Sequence, residues 1–515
     1  MSLTMAGKCI TLFILCIIIG NCIAARGRSK SRMKSAAPLV LPMGATVDPK
    51  MKDKALKVIE MMKHAWNGYK KYAWGWNEVK PVSQKENPGS VFGSHPLGLT
   101  IVDSMDTLYL MGLKEEYEAA RMWVEQKFSL EINGVFSVFE TNIRYLGGFL
   151  TLFAFTGDPL YKNKAQMVAE KLLPAFRTAT GIPYALVNFK TGAAENYNWA
   201  AGKASILAEF GTLHLEFAYL SDITGDPKYL KLVQAIRNRL KKMKKPKGLY
   251  FNYVDPNSGQ WGTPAVSLGG LGDSFYEYLL KSWIQSNKAD FQARQMYDEA
   301  MEAVMAQLLV VSDGGLTYLA EMKSNERIHK MDHLACFAGG MIALGAHTQA
   351  DGNSKKYMNT AIGITNTCRE SYIRTATKLG PETFRFKKGT EAIGIENREK
   401  EFLLRPETVE SYFILWRLTH DRKYRDWGWE VVEALEKHCR TAAGYSGLRN
   451  VYDVKSEKDD VQQSFFLSET LKYLYLLFTE DSTLPFSQWV FSTEAHPLPI
   501  KIANKYYRAT KMFSK

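Results

Sequence analysis

The sequence predicts an all-α fold assembled from repeated helical hairpins. Three observations carry this. Apolar residues recur with helical spacing from about Lys52 to about Phe478. A tyrosine opens a helix after a polar turn again and again, at Tyr117, Tyr161, Tyr229, Tyr297, Tyr357 and Tyr424. Most of these intervals are about 60–70 residues, room for two helices and their loops. The turns themselves carry stop and start signals, as in "FTGDPLYKNKA" and "ITGDPKYLKLV", where Gly ends one helix and Asp-Pro seeds the next. Such hairpins bury their apolar faces in an open solenoid or in a closed ring, and the period alone does not choose between them.

The elements follow in order. Residues 9–25, "CITLFILCIIIGNCIAA", form an apolar run of signal-peptide or short signal-anchor length. Only Lys8 precedes it, whereas Arg26, Arg28, Lys30, Arg32 and Lys34 follow. That balance and the small residues Ala24 and Ala25 favour a cleaved signal over an anchor, and either one sends the chain into the secretory pathway. Residues 26–50 are a basic segment and linker. Hairpin units fill the chain from about Lys52. The tail "PFSQWVFSTEAHPLPI" (residues 485–500) reads as strand and turn.

The net charge of +13 raises the question of a nucleic-acid or anionic-membrane partner. The cations are dispersed, the second dense stretch being "RLKKMKKPK" at 239–247, and no nucleic-acid motif accompanies them. Solvated surface charge is the better reading. Outside the apolar run the cysteines are Cys336, Cys368 and Cys439, which in an oxidising lumen allow one disulfide and leave one thiol over. No Cys/His spacing suggests zinc.

The chemistry lies in acids set inside apolar helices. "FETNIRYLGG" holds Glu140 and Arg144, four residues apart; "IVDSMDTLYLMGL" holds Asp103 and Asp106; "ILAEFGTLHLEF" holds Glu209 and Glu216. "GDSFYEYLLK" holds Asp273 and Glu277, and "MDHLACFAGG" holds Asp332 and His333. "LLRPETVESYFILW" holds Arg405, Glu407 and Glu410, and "SFFLSETLKYLYLLF" holds Phe465 and Glu469. A single acid of this kind is usually an interior ion pair or a helix cap. Seven helices that each carry one need a better reason, because burying a carboxylate costs free energy unless it is paired, binds an ion or serves a reaction. If the acids converge, the centre is a carboxylate-rich, aromatic-walled pocket. Glycoside hydrolysis, which needs an acid and a base about the sugar, and divalent-cation binding by oxygen ligands both fit, and they can coexist. Serine-nucleophile, phosphate-loop and redox motifs are absent; "LGGLGDS" is glycine-rich but follows no strand.

Taken together, "GLTIVDSMDTLYLMGL", "FETNIRYLGG", "LAEFGTLHLEF", "GDSFYEYLLK", "MDHLACFAGG", "LRPETVESYFILWR", "SFFLSETLKYLYLLF" and "STEAHP" resemble, in order, the motifs of the class I α-1,2-mannosidases, glycoside hydrolase family 47, in their Golgi type. The resemblance implies that residues 51–515 form one catalytic (α/α)7 barrel, closed at one end by a C-terminal β-hairpin. It implies an inverting, Ca2+-dependent exo-α-1,2-mannosidase acting on high-mannose N-glycans of glycoproteins. Such a chain would work as a monomer in the lumen of the Golgi or ER, or outside the cell after signal cleavage. The alternative within the fold is a glycan-binding quality-control relative or lectin with weak or no hydrolase activity.

By the same resemblance Glu140 and Asp273 match candidate proton donors and Glu407 the general base. Thr493 matches the Ca2+ ligand. Asp103, Glu209, Glu277, Glu410, Glu469 and Glu494 match carboxylates that hold water or sugar, with Asp106 and Glu216 as near alternatives to Asp103 and Glu209. Arg144, Leu271, His333, Arg405 and Phe465 match substrate contacts, and Cys336–Cys368 matches the family's disulfide. ER-type members carry arginine at the Leu271 position. Leucine removes a clamp on one glycan branch, so trimming of several mannoses is expected. Asn77, where the family usually has Asp, is expected in a surface turn or cap.

Overall fold

In the computed structural model, residues 37–39, 48–348 and 352–510 are described. The apolar run and the basic segment after it lie outside them. The chain from Ala37 onward forms one compact unit.

Six helical hairpins follow one another. After α1 (Pro49–Tyr72) come α2 (Leu99–Leu110) with α3 (Lys114–Gln126), and α4 (Gly147–Thr156) with α5 (Pro159–Leu172). A short α6 (Leu207–Gly211) precedes α7 (His214–Thr224) and α8 (Lys228–Lys242). Then come α9 (Asp273–Gln285) with α10 (Phe291–Gln307), α11 (Phe337–His347) with α12 (Ser354–Ile373), and α13 (Glu407–Thr419) with α14 (Lys423–His438). The last helix, α15 (Leu471–Leu477), has no later helical partner and packs on α1. The first helices of the pairs touch in sequence, α2 on α4, α4 on α7, α7 on α9, α9 on α11, α11 on α13 and α13 on α15. A π-helical turn before α15, Phe466–Thr470, returns to α2 and completes a circuit of helices.

The two layers differ as their positions require. The inner helices are buried nearly all round, as in α2, where Tyr109 alone is not buried. The second helices are one-sided: α8 buries Tyr229, Val233, Ile236 and Leu240, a stripe at helical spacing, and turns its lysines outward. The repeating tyrosines explain themselves here. Tyr117, Tyr161, Tyr229 and Tyr424 are buried in the first turns of outer helices and Tyr297 in the second turn of α10, and the hydroxyls of Tyr117 and Tyr161 share a hydrogen bond of 2.7 Å. Their repeat marks packing between layers. The turns behave as the sequence expects: Gly157 takes φ 72°, and Asp158 accepts from the Leu160 N–H at 2.9 Å.

Cys336, just before α11, is bonded to Cys368 in α12, and Cys439 is a buried free thiol. The basic stretch at 239–247 begins in the last turn of α8, where cations suit the helix dipole, and Lys241, Lys242, Lys244 and Lys247 are exposed. One expectation is corrected. Asn77 is fully buried: its side chain donates to the Gly93 and His95 carbonyls and accepts from the Leu97 N–H. An aspartate there could not donate to those carbonyls.

Short strands, two or three to a sheet, occupy the loops. The tail is an antiparallel hairpin, Trp489–Phe491 against Pro497–Pro499. It packs against α4 and α9, inside the inner layer, and its tip carries Thr493 and Glu494.

Candidate active site

A cavity of about 330 Å³ lies where the inner helices, their preceding loops and the hairpin tip meet. Eight carboxylates line it, Glu140, Glu209, Asp273, Glu277, Glu407, Glu410, Glu469 and Glu494, against only two guanidinium groups, Arg144 and Arg405. Leu271, Phe465 and Thr493 complete the predicted residues on its wall.

Glu140 ends a single helical turn capped by the Ser137 hydroxyl, and the chain then runs into a π-helical segment, Thr141–Leu146. The same wide turn occurs at Phe466–Thr470, which carries Glu469. π-turns inside helices commonly mark functional positions because they re-aim side chains at the cost of regular hydrogen bonding. Arg144 is the hub of this wall. Its Nε donates to Glu140 at 2.7 Å, and its terminal nitrogen donates to Glu494 at 2.5 Å and to the Ser464 hydroxyl at 3.0 Å.

Asp273 and Glu277 open α9 one turn apart. Burial pushes the Asp273 carboxyl up to about 7, aided by the charges of Asp332 and Glu277 and opposed by the Ser274 N–H. Glu277 is paired with Lys281, whose ammonium is also 3.9 Å from Glu410. Leu271 sits in the left-handed region at φ 76°, with its carbonyl accepting from Ala208 at 3.0 Å.

Across the cavity Leu404, also left-handed at φ 64°, turns the chain into Arg405, Pro406 and the first turn of α13. Arg405 is fixed by both oxygens of Glu382, at 2.8 and 2.9 Å, and lies over the Phe465 ring, as Arg144 does. Burial works against the ionised form of Glu407, yet His333 and Arg405 outweigh it and hold this carboxyl below its ordinary range. His333 Nδ1 is 2.5 Å from Glu407 Oε2, and its Nε2 is 2.6 Å from the Tyr372 hydroxyl. A carboxylate can only accept, so Nδ1 donates its proton to Glu407 while Nε2 and the Tyr372 hydroxyl share the second hydrogen bond.

The remaining acids are displaced the other way. Glu410 is pushed up to about 8 by burial, with Lys281 opposing and Glu277 and Glu407 adding to the shift. Glu209 is pushed up to about 8 by burial and by Glu140. Burial and the neighbouring charges of Glu494, Glu407 and Glu410 raise Glu469 well above the usual carboxylate range.

Two predicted contacts lie behind the wall. His333 is 1% exposed with both ring nitrogens occupied, so it supports Glu407 and does not face the cavity. Asp103 is fully buried beneath Arg144, bonded to Ser464 at 2.5 Å and Ser468 at 3.2 Å. Of the near alternatives, Asp106 pairs with Lys472 and His496, and Glu216 accepts from Tyr278. Glu382 and Tyr372 were not singled out in the sequence, whereas Asp332 was, beside His333. Glu382 lies beside a strand, and Tyr372 looks like any core aromatic of a helix.

Comparison with known proteins agrees with this geometry. The sequence model of glycosyl hydrolase family 47 matches residues 61–500. The chain is 64% identical over 464 residues to mannosyl-oligosaccharide alpha-1,2-mannosidase IA of Drosophila melanogaster, covering 90% of this chain and 70% of that one. It is 52% identical over 457 residues to the human mannosyl-oligosaccharide 1,2-alpha-mannosidase IB, covering 89% and 71%. The solved alpha-1,2-mannosidase from Trichoderma reesei superposes with a TM-score of 0.79 at 28% identity, covering 90% of this chain and all of that one. With its family match running from the second half of α1 through the helical circuit to the hairpin tip, the chain belongs to glycosyl hydrolase family 47 and is a glycoside hydrolase.

Proposed function

We propose that this chain is a Ca2+-dependent, inverting exo-α-1,2-mannosidase that trims several α-1,2-linked mannoses from high-mannose N-glycans, from Man9 toward Man5. The observation that carries the reading is the opposite poise of two cavity carboxyls. Glu407 is held below the usual carboxylate range, as a base requires, and Asp273 is raised to about 7, as a proton donor requires. The relatives named mannosyl-oligosaccharide 1,2-alpha-mannosidase support the substrate class. In this reading the circuit of helices is an (α/α)7 barrel and the hairpin is its plug. The apolar run at 9–25 supports action in the secretory lumen; among the described residues no helix is long and apolar enough to cross a membrane.

In the inverting scheme Glu407 orients water at the anomeric carbon and takes its proton, with His333 holding the carboxylate in place. Asp273 supplies a proton to the departing oxygen, and Glu140, paired to Arg144, stands ready to relay one through water. Phe465 underlies the sugar ring, with Arg405 at its edge. The fit of a cation is supported by the donor set. Among the described residues no three His, Cys, Asp or Glu side chains form a ligating cluster, but the half-buried Thr493 sits where buried carboxylates repel one another. Ca2+ held through the Thr493 oxygens, with Glu469, Glu494 and Glu410 holding its waters, would supply the positive charge that this cavity lacks and would orient sugar hydroxyls.

Incubation with a Man9 glycan, with and without EDTA, tests the proposal: successive loss of mannoses is expected with Ca2+ and none after chelation. No trimming with Ca2+ present would sink it. Replacing Leu271 by arginine should stop digestion after fewer mannoses; an unchanged product series would show that this wall does not set breadth. The pH profile tests the donor. Cleavage should fall as pH rises through about 7, where Asp273 loses its proton. Asp273→Asn should lose activity together with that alkaline limb, whereas a persisting limb would assign the proton to Glu140.

A further inference from the structure

A second open cavity, of about 260 Å³, shares no wall residue with the catalytic one. Arg239, Lys242, Met243, Lys244, Gln260 and Trp261 wall it, and no acid lines it. Its charge is therefore the reverse of the catalytic cavity's. All three cations come from the basic stretch at 239–247, which the catalytic reading leaves unused. The lysines of that stretch divide into two sets. Lys241 is hydrogen-bonded to Gln295 at 3.1 Å. Lys245 reaches back to the Lys241 carbonyl at 3.2 Å and lies over the Tyr250 ring. Lys242 and Lys244, the two on the cavity wall, are exposed, and their ammonium groups have no partner among the described residues. Three cations about one cavity repel one another, and a cleft of a single sign focuses its field on whatever enters.

The wall is held in shape. One terminal nitrogen of Arg239 donates to the Ser258 carbonyl at 2.9 Å and the Gly259 carbonyl at 3.3 Å, while its Nε has no hydrogen-bond partner. Asp255 ties the same turn, accepting from the Asn257 N–H at 2.9 Å and the Ser258 hydroxyl at 2.8 Å. Gly259 stands at φ 67°, and a Cβ there would fall 2.2 Å from the arginine nitrogen, so glycine makes room for the guanidinium. Trp261 closes the other side: its Nε1 donates to the Lys244 carbonyl at 2.8 Å, and its half-buried ring leans on Tyr250 and Phe251. Cations on separate walls suit a tetrahedral anion, whose several oxygens meet several donors, better than a carboxylate with two. The indole plane beside Met243 and the exposed Gln260 amide suits the apolar face and the hydroxyl rim of a sugar ring.

We propose that this cavity is a binding site for a sugar that carries a phosphate or sulfate group. Arg239, Lys242 and Lys244 take the anion, and Trp261 takes the ring. The site goes beyond the mannosidase reading and does not depend on it, because the eight carboxylates of the catalytic cavity turn such an anion away.

Calorimetry on the full chain at low salt tests it, with glucose 6-phosphate, N-acetylglucosamine 6-sulfate, glucose, inorganic phosphate and UMP as probes. At least one of the two sugar esters should bind about tenfold more tightly than glucose and about threefold more tightly than inorganic phosphate, and the tighter of the two names the ester. The double variant Lys242→Gln with Lys244→Gln should weaken that binding about tenfold. The control Lys241→Gln with Lys247→Gln removes the same charge from outside the cavity wall and should leave the Kd unchanged. Trp261→Leu should erase the advantage over inorganic phosphate while phosphate itself still binds, which shows that the cavity is intact. Cleavage of Man9 should be unaffected in both double variants. An unchanged Kd in Lys242→Gln with Lys244→Gln, or an equal loss in the control, overturns the site. UMP binding more tightly than either sugar ester overturns the sugar as its ligand. Binding is read without turnover, so failure here leaves the mannosidase reading standing.

Discussion

Glu407→Gln should lower kcat on a Man9 glycan by about 10²–10⁴ while leaving glycan binding nearly intact. The substitution keeps the size of the side chain and leaves an oxygen to accept from His333 Nδ1, so the relay His333–Tyr372 can stay in place. What is lost is the ability to take a proton from water. The expected pattern is therefore a kcat defect with a modest change in KM, and tight, unproductive glycan binding by calorimetry. Near-normal turnover would remove Glu407 from the base role. A loss of binding equal to the loss of turnover would recast it as a substrate contact.

The second large effect concerns stability. Lys472, on α15, is fully buried and donates to Asp106 of α2 at 2.7 Å and to the Ala495 carbonyl at 2.8 Å. Asp106 also meets His496 Nδ1 at 2.9 Å. Burial opposes the charge on Asp106, and Lys472 and His496 nevertheless hold its carboxyl below the usual range. One ammonium thus joins the last inner helix, the first inner helix and the hairpin tip. Lys472→Met leaves the aspartate without its cation and the Ala495 carbonyl without a donor. Breaking a buried pair from one side costs about 3–5 kcal/mol. The denaturation midpoint should fall accordingly, and activity should fall with it, because Ala495 neighbours the tip that carries Thr493. The double variant Lys472→Met with Asp106→Leu should recover part of the loss, since no unpaired charge remains. A midpoint unchanged in the single variant would show that His496 alone suffices for Asp106.

The helical hairpins and the acid-bearing helices were legible in the sequence because both are local patterns. Apolar spacing, Gly-Asp-Pro turns and a carboxylate amid leucines are each visible within a dozen residues. What was not legible depends on who meets whom. The contact of α15 with α1 joins residues some 400 apart. His333 resembled a substrate contact until both ring nitrogens were found taken, and Asp103 resembled a cavity acid until Arg144 was found above it. Asn77 looked like a turn residue because its partners, the carbonyls of Gly93 and His95, leave no trace in side-chain chemistry. Glu382 and Tyr372 act only through Arg405 and His333, so no motif of their own announces them.

The pairing of α1 with α15 has a consequence for how the protein comes into being. Helix α1 is made some 400 residues before α15, so the part of its face that α15 covers must wait for that partner. Hairpins in between can form as they emerge, but the circuit closes only once α15 has been made. The hairpin tip with Thr493 follows α15 in the chain, so the cavity's last wall is made only after the circuit that surrounds it.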